Sequence, residues 1–179
     1  MGAVRPRLIA AAAAVLLVVL AGYWFLVRQD SAEPRVQVPR LAATIGEGEE
    51  AVGVSGNGAV VRWLPLPEDP PLPRLPLDEL PQGGRLRGPA LEQARVLAAV
   101  PDALRPYVAG SSFGERGVEV ELSTGIELYF GDATQAKKKW RAAAAVLANP
   151  EITALDYVDL TAPSRPSHGG SEHELPPPP

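Results

Sequence analysis

The chain contains no cysteine and only two histidines. Thiol chemistry is therefore excluded, and few side chains are available for catalysis or metal binding by histidine. Without cysteine there are no disulfides, no thiol nucleophile and no thiolate metal ligand. His168 and His173 both lie in residues 163–179, a stretch rich in proline, serine and glycine that predicts a disordered tail. Their spacing does not match a helical zinc motif. The sequence therefore predicts no metal, no cofactor and no histidine-based catalytic site.

Positive charge is also scarce. The 17 lysines and arginines are outnumbered by 21 aspartates and glutamates, which leaves a net charge of −4. A chain with this balance has no general electrostatic attraction for nucleic acid. One local exception is the run Lys137, Lys138 and Lys139, which is typical of a solvated helix face but could also meet lipid phosphates or an acidic partner.

One long stretch, residues 8–27, has no charged side chain at all. Its length matches the roughly 20 apolar residues that cross a bilayer as a helix, and it exceeds the apolar region of about 7 to 15 residues in a secretory signal. Its aromatic end favours a retained anchor over the alternative, a cleaved signal, because such rings prefer the membrane–water interface. The expected anchor residues are Leu8, Leu16, Leu20, Tyr23, Trp24, Phe25 and Val27.

The charges on either side of this stretch predict its orientation. Arg5 and Arg7 precede it, whereas Arg28 after it is soon followed by acidic residues. Positive charge tends to stay on the cytoplasmic side of a membrane. We therefore expect residues 1–7 in the cytoplasm, a transmembrane helix over residues 8–27, and the rest of the chain outside the cell membrane.

The patterns that follow indicate where a folded domain begins. Residues 28–50 are polar, with little apolar periodicity, and predict a tether. Two short apolar runs in residues 51–64 flank Gly56, Asn57 and Gly58, which predicts a hairpin. Dense prolines in residues 65–81 predict a stiff, extended loop, and a ligand for a proline-binding groove is the alternative.

Beyond this loop, helical and strand patterns alternate. A helix is predicted from Pro89, then a half-buried hairpin turning at residues 123–125. Asp132 and Gln135 form a capping-box-like pair before a second helix, and a last strand is predicted over residues 153–161. Residues 51–162 are therefore predicted to form an α+β domain, a mostly antiparallel sheet with helices packed on it.

Three glutamates of the central hairpin, Glu119, Glu121 and Glu127, are the nearest approach to a catalytic site, because glycoside hydrolysis uses two carboxyl groups at a fixed separation. Their alternation with apolar residues places them on the solvated face of the hairpin, where water surrounds each carboxylate. We expect no enzyme activity and no small-molecule substrate.

The last predicted strand lies between a helix and the tail, so its outer edge lacks an internal partner. The unpaired N–H and C=O groups of an open sheet edge can accept a strand from another chain. The sequence therefore predicts a surface for protein binding.

Residues 118–166 resemble the β domain of a bacterial cell-division family, FtsQ, also called DivIB. The resemblance lies in the order of a strand closing on Phe130 and Gly131, a helix that carries Lys139, and a strand containing "YVD" at residues 157–159. A Pro-x-x-Pro exit at residues 163–166 follows. The elements upstream extend the resemblance to about residue 51.

The family usually places a POTRA domain between the membrane and the β domain. Residues 28–50 are too few to form one. The comparison with the family therefore implies a POTRA domain that is absent or reduced to a remnant.

The resemblance implies a non-enzymatic protein of the division septum that binds FtsB-like (DivIC-like) and FtsL-like proteins and helps control septal peptidoglycan synthesis. In relatives, the last strand of the β domain takes up a strand of FtsB. Carried over to this sequence, the partner-binding residues are Leu155, Asp156, Tyr157, Val158, Asp159 and Leu160, supported by Lys139 and Trp140. A membrane-anchored enzyme or regulator of peptidoglycan processing is the alternative.

Overall fold

The computed structural model describes residues 39–69, 71–77 and 79–177. Two α-helices lie in these ranges, α1 (Gly88–Ala98) and α2 (Ala136–Leu147), with short 3-10 helices at Gly48–Glu50 and Arg105–Tyr107. The strands in the same ranges are β1 (Leu41–Ile45), β2 (Val52–Ser55), β3 (Val60–Val61), β4 (Val108–Gly114), β5 (Gly117–Leu122), β6 (Glu127–Gly131), β7 (Ala154–Asp159) and β8 (Ser167–Glu174).

The strands form two sheets, one of order β1-β2-β3 and one of order β4-β5-β6-β7-β8. Neighbouring strands are antiparallel except for β6 and β7, which are parallel because α2 carries the chain back between them. The two sheets are linked at Arg74, which pairs in parallel with Thr44 of β1 and with Gly110 of β4. The proline-rich segment is therefore extended around Arg74, where the N–H of Leu75 donates to Thr44 O and Pro73 O accepts from the N–H of Thr44.

Both helices pack on one face of the five-stranded sheet. The strand β5 shows why, because Val118, Val120 and Leu122 alternate with acidic residues and are buried beneath the helices. Phe130 of β6 and Trp140 of α2 meet in this core with ring centroids 4.9 Å apart. The opposite face of the sheet carries polar and aromatic side chains.

The short-range predictions are largely confirmed. The hairpin around residues 56–58 forms between β2 and β3, and the central hairpin forms between β5 and β6. The first helix begins with Pro89 in its first turn and ends before Pro101, and the second helix and the strand after it lie where the pattern predicted.

The predicted capping box is wrong. Gln135 occupies the N-cap position of α2 with a left-handed backbone, φ 57°, and its side chain makes no capping hydrogen bond. The Asp132 carboxylate instead accepts hydrogen bonds from the backbone N–H of Thr134 and from Lys139 Nζ. A buried amine from the helix thus replaces the expected reciprocal pair.

The predicted fold class is corrected in its membrane-spanning part. No helix within the described ranges is long and apolar enough to cross a bilayer. The predicted cytoplasmic segment, the predicted spanning helix at residues 8–27 with its anchor residues, and the first part of the tether all lie outside those ranges. The described chain is an α+β fold of two helices and two sheets.

Two segments predicted to lack structure are ordered parts of this fold. Within the predicted tether, β1 pairs with β2, and its Ala42 and Ala43 are fully buried. Within the predicted disordered tail, β8 pairs with β7, and beyond it the carbonyl oxygen of Pro177 accepts a hydrogen bond from Tyr107. Main-chain pairing stabilises β8 without any large apolar side chain.

Candidate functional site

The side chains of β7 divide between the two faces of the sheet. Leu155, Val158 and the following Leu160 are buried against the helices, whereas Asp156 and Asp159 are half-buried and Tyr157 is 36% exposed. The register with β8 shifts between Leu155 and Tyr157, which brings Asp156 and Tyr157 to the outer face together. Of the residues predicted to bind a partner, the three buried ones are core residues.

The edge of β7 is not open, which corrects the prediction. The strand lies between β6, in parallel, and β8, in antiparallel register from Ala154 to Asp159. The sequence missed β8 because Ser167–Glu174 contains no β-branched or aromatic residue, the usual signal of a strand. The open edge of the sheet therefore moves outward by one strand, to β8.

The main-chain groups of His168 point away from the sheet. The N–H of Leu160 donates to Tyr129 O of β6 at 2.8 Å, so alternation along β7 turns Tyr157 and Asp159 toward β8. Their partners Gly169 and Ser167 face back toward β7, and His168 between them faces outward. Among the described residues no strand pairs with this side of β8.

An aromatic strip crosses the outer face of the sheet toward this edge. Tyr129 and Tyr157 stack with ring centroids 5.7 Å apart, and the Arg116 guanidinium lies 4.4 Å from the centroid of the Tyr129 ring. The hydroxyl of Tyr129 donates to Glu127, which raises the tyrosine pKa to about 12. Tyr157 reaches across to Gly169, where a Cβ would lie only 3.1 Å from its hydroxyl oxygen.

A bulge interrupts β8 after Gly169. Gly170 has φ +85°, and an added Cβ would lie 2.0 Å from the carboxyl carbon of Asp156, so glycine is required here. The Asp156 carboxylate in turn accepts the N–H of Glu172 at 2.7 Å. The bulge therefore divides the ladder with β7 into two parts, with residues 167–169 of β8 paired before it and residues 173–174 paired after it.

Asp156, Glu172 and His173 each offer a metal-ligand atom within 4.8 Å of the others. The Glu172 side chain is exposed, and Asp156 already serves the bulge as an acceptor. The pairing of β7 with β8 is therefore sufficient to explain why these three side chains lie close together. Clusters of exposed acidic groups are common without an ion.

Lys139 and Trp140, which were predicted to support partner contact, are core residues. Lys139 is 4% exposed, and its Nζ donates to Phe130 O at 2.7 Å, to Asp132 O at 3.0 Å and to Asp132 Oδ1 at 2.8 Å. Trp140 has no exposed surface, and its Nε1 donates to Val96 O of α1 at 2.8 Å. Lys139 therefore fixes the loop between β6 and α2, and Trp140 joins α2 to α1.

The Lys139–Asp132 pair predicts a pH dependence of stability. Hydrogen bonds from Lys139 and Thr134 lower the pKa of Asp132 from 3.8 to about 2. The ionised carboxylate therefore stabilises the fold above its unfolded pKa, near pH 4, and this contribution is lost as the pH falls through about 2. Because Asp132 is 65% exposed, solvent limits the effect to about 0.5–1 kcal/mol.

Urea unfolding of the wild type and of Asp132→Asn measures this contribution directly. The difference between the two free energies of unfolding should be constant near neutral pH and shrink between about pH 4 and pH 2. A difference that stays constant down to pH 2 would contradict the role assigned to the pair.

The three glutamates considered as a catalytic site line a groove of ≈ 580 Å³ on the outer face, together with Arg74 and Ser112. Glu121 and Glu127 are exposed and Glu119 is half-buried. Arg74 at the groove forms an ion pair with Glu47. The three carboxylates of the groove therefore lie on the solvated face of the hairpin, as their alternation with apolar residues predicted.

Comparison with protein-family models, with curated proteins and with solved structures gives no match for this chain. The likeness to the FtsQ family therefore rests on the residues of the sequence alone.

Proposed function

We propose that this chain is a non-enzymatic interaction module that accepts an extended segment of another protein along the outer edge of β8. The observation that supports this most directly is the orientation of His168, whose main-chain groups face outward from an edge strand. An extended peptide binds such an edge by continuing the ladder of main-chain hydrogen bonds.

The partner proposed from the family resemblance is an FtsB-like (DivIC-like) protein, acting with an FtsL-like protein at the division septum. In that setting the module would help assemble and control septal peptidoglycan synthesis. The order of the strand that closes on Gly131, the Lys139 helix and the "YVD" strand supports the proposal.

Tyr157 is the side chain best placed to add affinity. Its ring lies one strand in from the edge, is 36% exposed and reaches over Gly169, which has no side chain to shield it. A partner side chain opposite Gly169 would therefore contact this ring. Exposed tyrosines next to a binding edge are frequent hot spots, and Tyr157→Ala should weaken binding by roughly 1 to 3 kcal/mol.

The test uses the full chain and the extracytoplasmic segments of FtsB-like and FtsL-like proteins from the same organism, with affinity measured by titration calorimetry. His168→Pro removes an outward N–H without removing a bond to β7, because His168 does not face β7. We expect it to weaken binding by at least about tenfold.

His168→Ala is the matched control, because it removes the same imidazole but keeps the N–H group. It should bind like the wild type. Equal affinity of the proline variant, with circular dichroism showing an intact fold, would refute strand addition at β8. Absence of binding by the wild-type chain would refute the proposed partners.

A further inference from the structure

An apolar groove unrelated to β8 lies between the start of β1 and the proline-rich loop. Its volume is ≈ 470 Å³. Arg40 and Arg105 lie in the lining, and the rest of the lining is entirely apolar: Leu41, Leu64, Pro65, Leu66, Pro67 and Leu72. The groove therefore combines an aliphatic surface with two cationic groups.

Among the described residues, Asp102 is the one carboxylate that pairs with Arg40 and Arg105. Arg105 is 12% exposed, and its Nη2 is buried without a hydrogen-bond partner among the described residues. The Asp102 carboxylate lies 3.8 Å from Nε of Arg105 and also pairs with Arg40. Burial lowers the pKa of Arg105, and repulsion from Arg40 lowers it further. Two guanidinium groups thus share one carboxylate.

We propose that this groove binds an anionic amphiphile, with an acyl chain along the leucines and prolines and a carboxylate or phosphate head at Arg40 and Arg105. An anionic head would give the buried guanidinium the charge-assisted hydrogen bonds that it lacks. An aliphatic chain would cover the apolar lining, and the free energy of its transfer from water is about 0.8 kcal/mol for each buried CH₂.

The composition of the lining favours an acyl chain over a peptide. A peptide brings N–H and C=O groups that need partners when they are buried. Pro65 and Pro67 offer no N–H, and the leucine side chains offer no polar atoms. An acyl chain makes no such demand, so it suits a wall that alternates leucine and proline.

Trp63 extends this surface toward solvent. It directly precedes Leu64 of the groove and is 65% exposed, which is unusual for so large an apolar ring. Tryptophan favours the boundary between water and lipid, because its ring is apolar and its N–H is polar. It also provides a fluorescent reporter beside the groove.

The experiment titrates the full chain with dodecyl phosphate below its critical micelle concentration and follows tryptophan emission. The same titration of Trp63→Phe identifies the part of the signal that comes from Trp63. Dodecyltrimethylammonium, which has the same chain with a cationic head, and inorganic phosphate, which is the head alone, separate the two requirements. We expect a saturable blue shift with dodecyl phosphate only.

Two variants test the arginines. Arg40→Ala and Arg105→Met should each weaken binding by about tenfold, as expected when a charge-assisted hydrogen bond is lost. Arg40 is largely exposed and its variant should fold even if the Arg105 variant does not. Arg141→Ala removes an exposed arginine of α2, away from the groove lining, and should bind normally.

Vesicles of phosphatidylglycerol, compared with phosphatidylcholine, distinguish the source of the amphiphile. A response of Trp63 to both dodecyl phosphate and phosphatidylglycerol vesicles supports binding of headgroups at a bilayer, and a response to the monomer alone supports a free amphiphile. Equal responses to both head charges, no response to dodecyl phosphate, or unchanged affinity in Arg40→Ala would overturn the proposal.

Discussion

Trp140→Ala is expected to lower the free energy of unfolding by about 3–5 kcal/mol, the usual cost of emptying a fully buried aromatic site. Among the described residues, Trp140 is the largest side chain without exposed surface, and its ring packs against Phe130 beneath the sheet. Its N–H also binds the Val96 carbonyl of α1. The substitution would therefore leave a cavity where α2, α1 and β6 meet.

Trp140→Phe separates packing from hydrogen bonding. It keeps an aromatic ring against Phe130 but has no N–H for the Val96 carbonyl, which still accepts from Ala99 N at 3.1 Å. We expect a loss of about 1–2 kcal/mol, well below that of the alanine variant. Urea unfolding followed by circular dichroism measures both. A loss below about 1 kcal/mol for Trp140→Ala would show that the site collapses without penalty.

Lys139→Met is expected to lower the free energy of unfolding by about 2–3 kcal/mol, because it removes one amine that satisfies several acceptors. Methionine fills a similar volume but donates no hydrogen bond. The Phe130 carbonyl would lose its buried donor, and the Asp132 carboxylate would lose its cation. The loop between β6 and α2 depends on these bonds for its conformation.

Lys138→Met is the matched control for this variant. Lys138 is the preceding residue of the same helix but is exposed, so its substitution should change stability by less than about 0.5 kcal/mol. Equal effects of the two substitutions would contradict the structural role of Lys139. In the Lys139→Met background, Asp132→Asn should change the pH dependence between about pH 4 and pH 2 less than it does in the wild type, because only the hydrogen bond from Thr134 then still lowers the pKa of Asp132.

The residues that the FtsQ resemblance implies for partner binding fall into a buried group and an accessible group. Lys139 and Trp140 are buried, so substituting either residue would change partner affinity only by destabilising the fold. Tyr157 and the main chain of β8 remain accessible from outside. A binding defect in a Lys139 variant should accordingly follow its stability, whereas a defect in His168→Pro should not.

Local patterns were sufficient to predict the hairpins and helices. Val118, Val120 and Leu122 alternate with glutamates, and this local pattern alone predicts which face of β5 is buried. Likewise, Gly56, Asn57 and Gly58 predicted the turn between β2 and β3, and Pro89 predicted the start of α1. In each case, the information lies within a few neighbouring residues.

Contacts between distant residues decided the site. Ser167–Glu174 becomes a strand only because β7 offers an edge, and the pairing uses main-chain atoms that every residue except proline can supply. Lys139 resembles its exposed neighbours until the end of β6 places acceptors around its amine. The groove at Arg105 likewise joins residues far apart in the chain. The periodicity of a sequence indicates which face of a strand or helix a side chain occupies. Hydrogen-bond partners, open sheet edges and unpaired charges depend instead on which distant segments pack together.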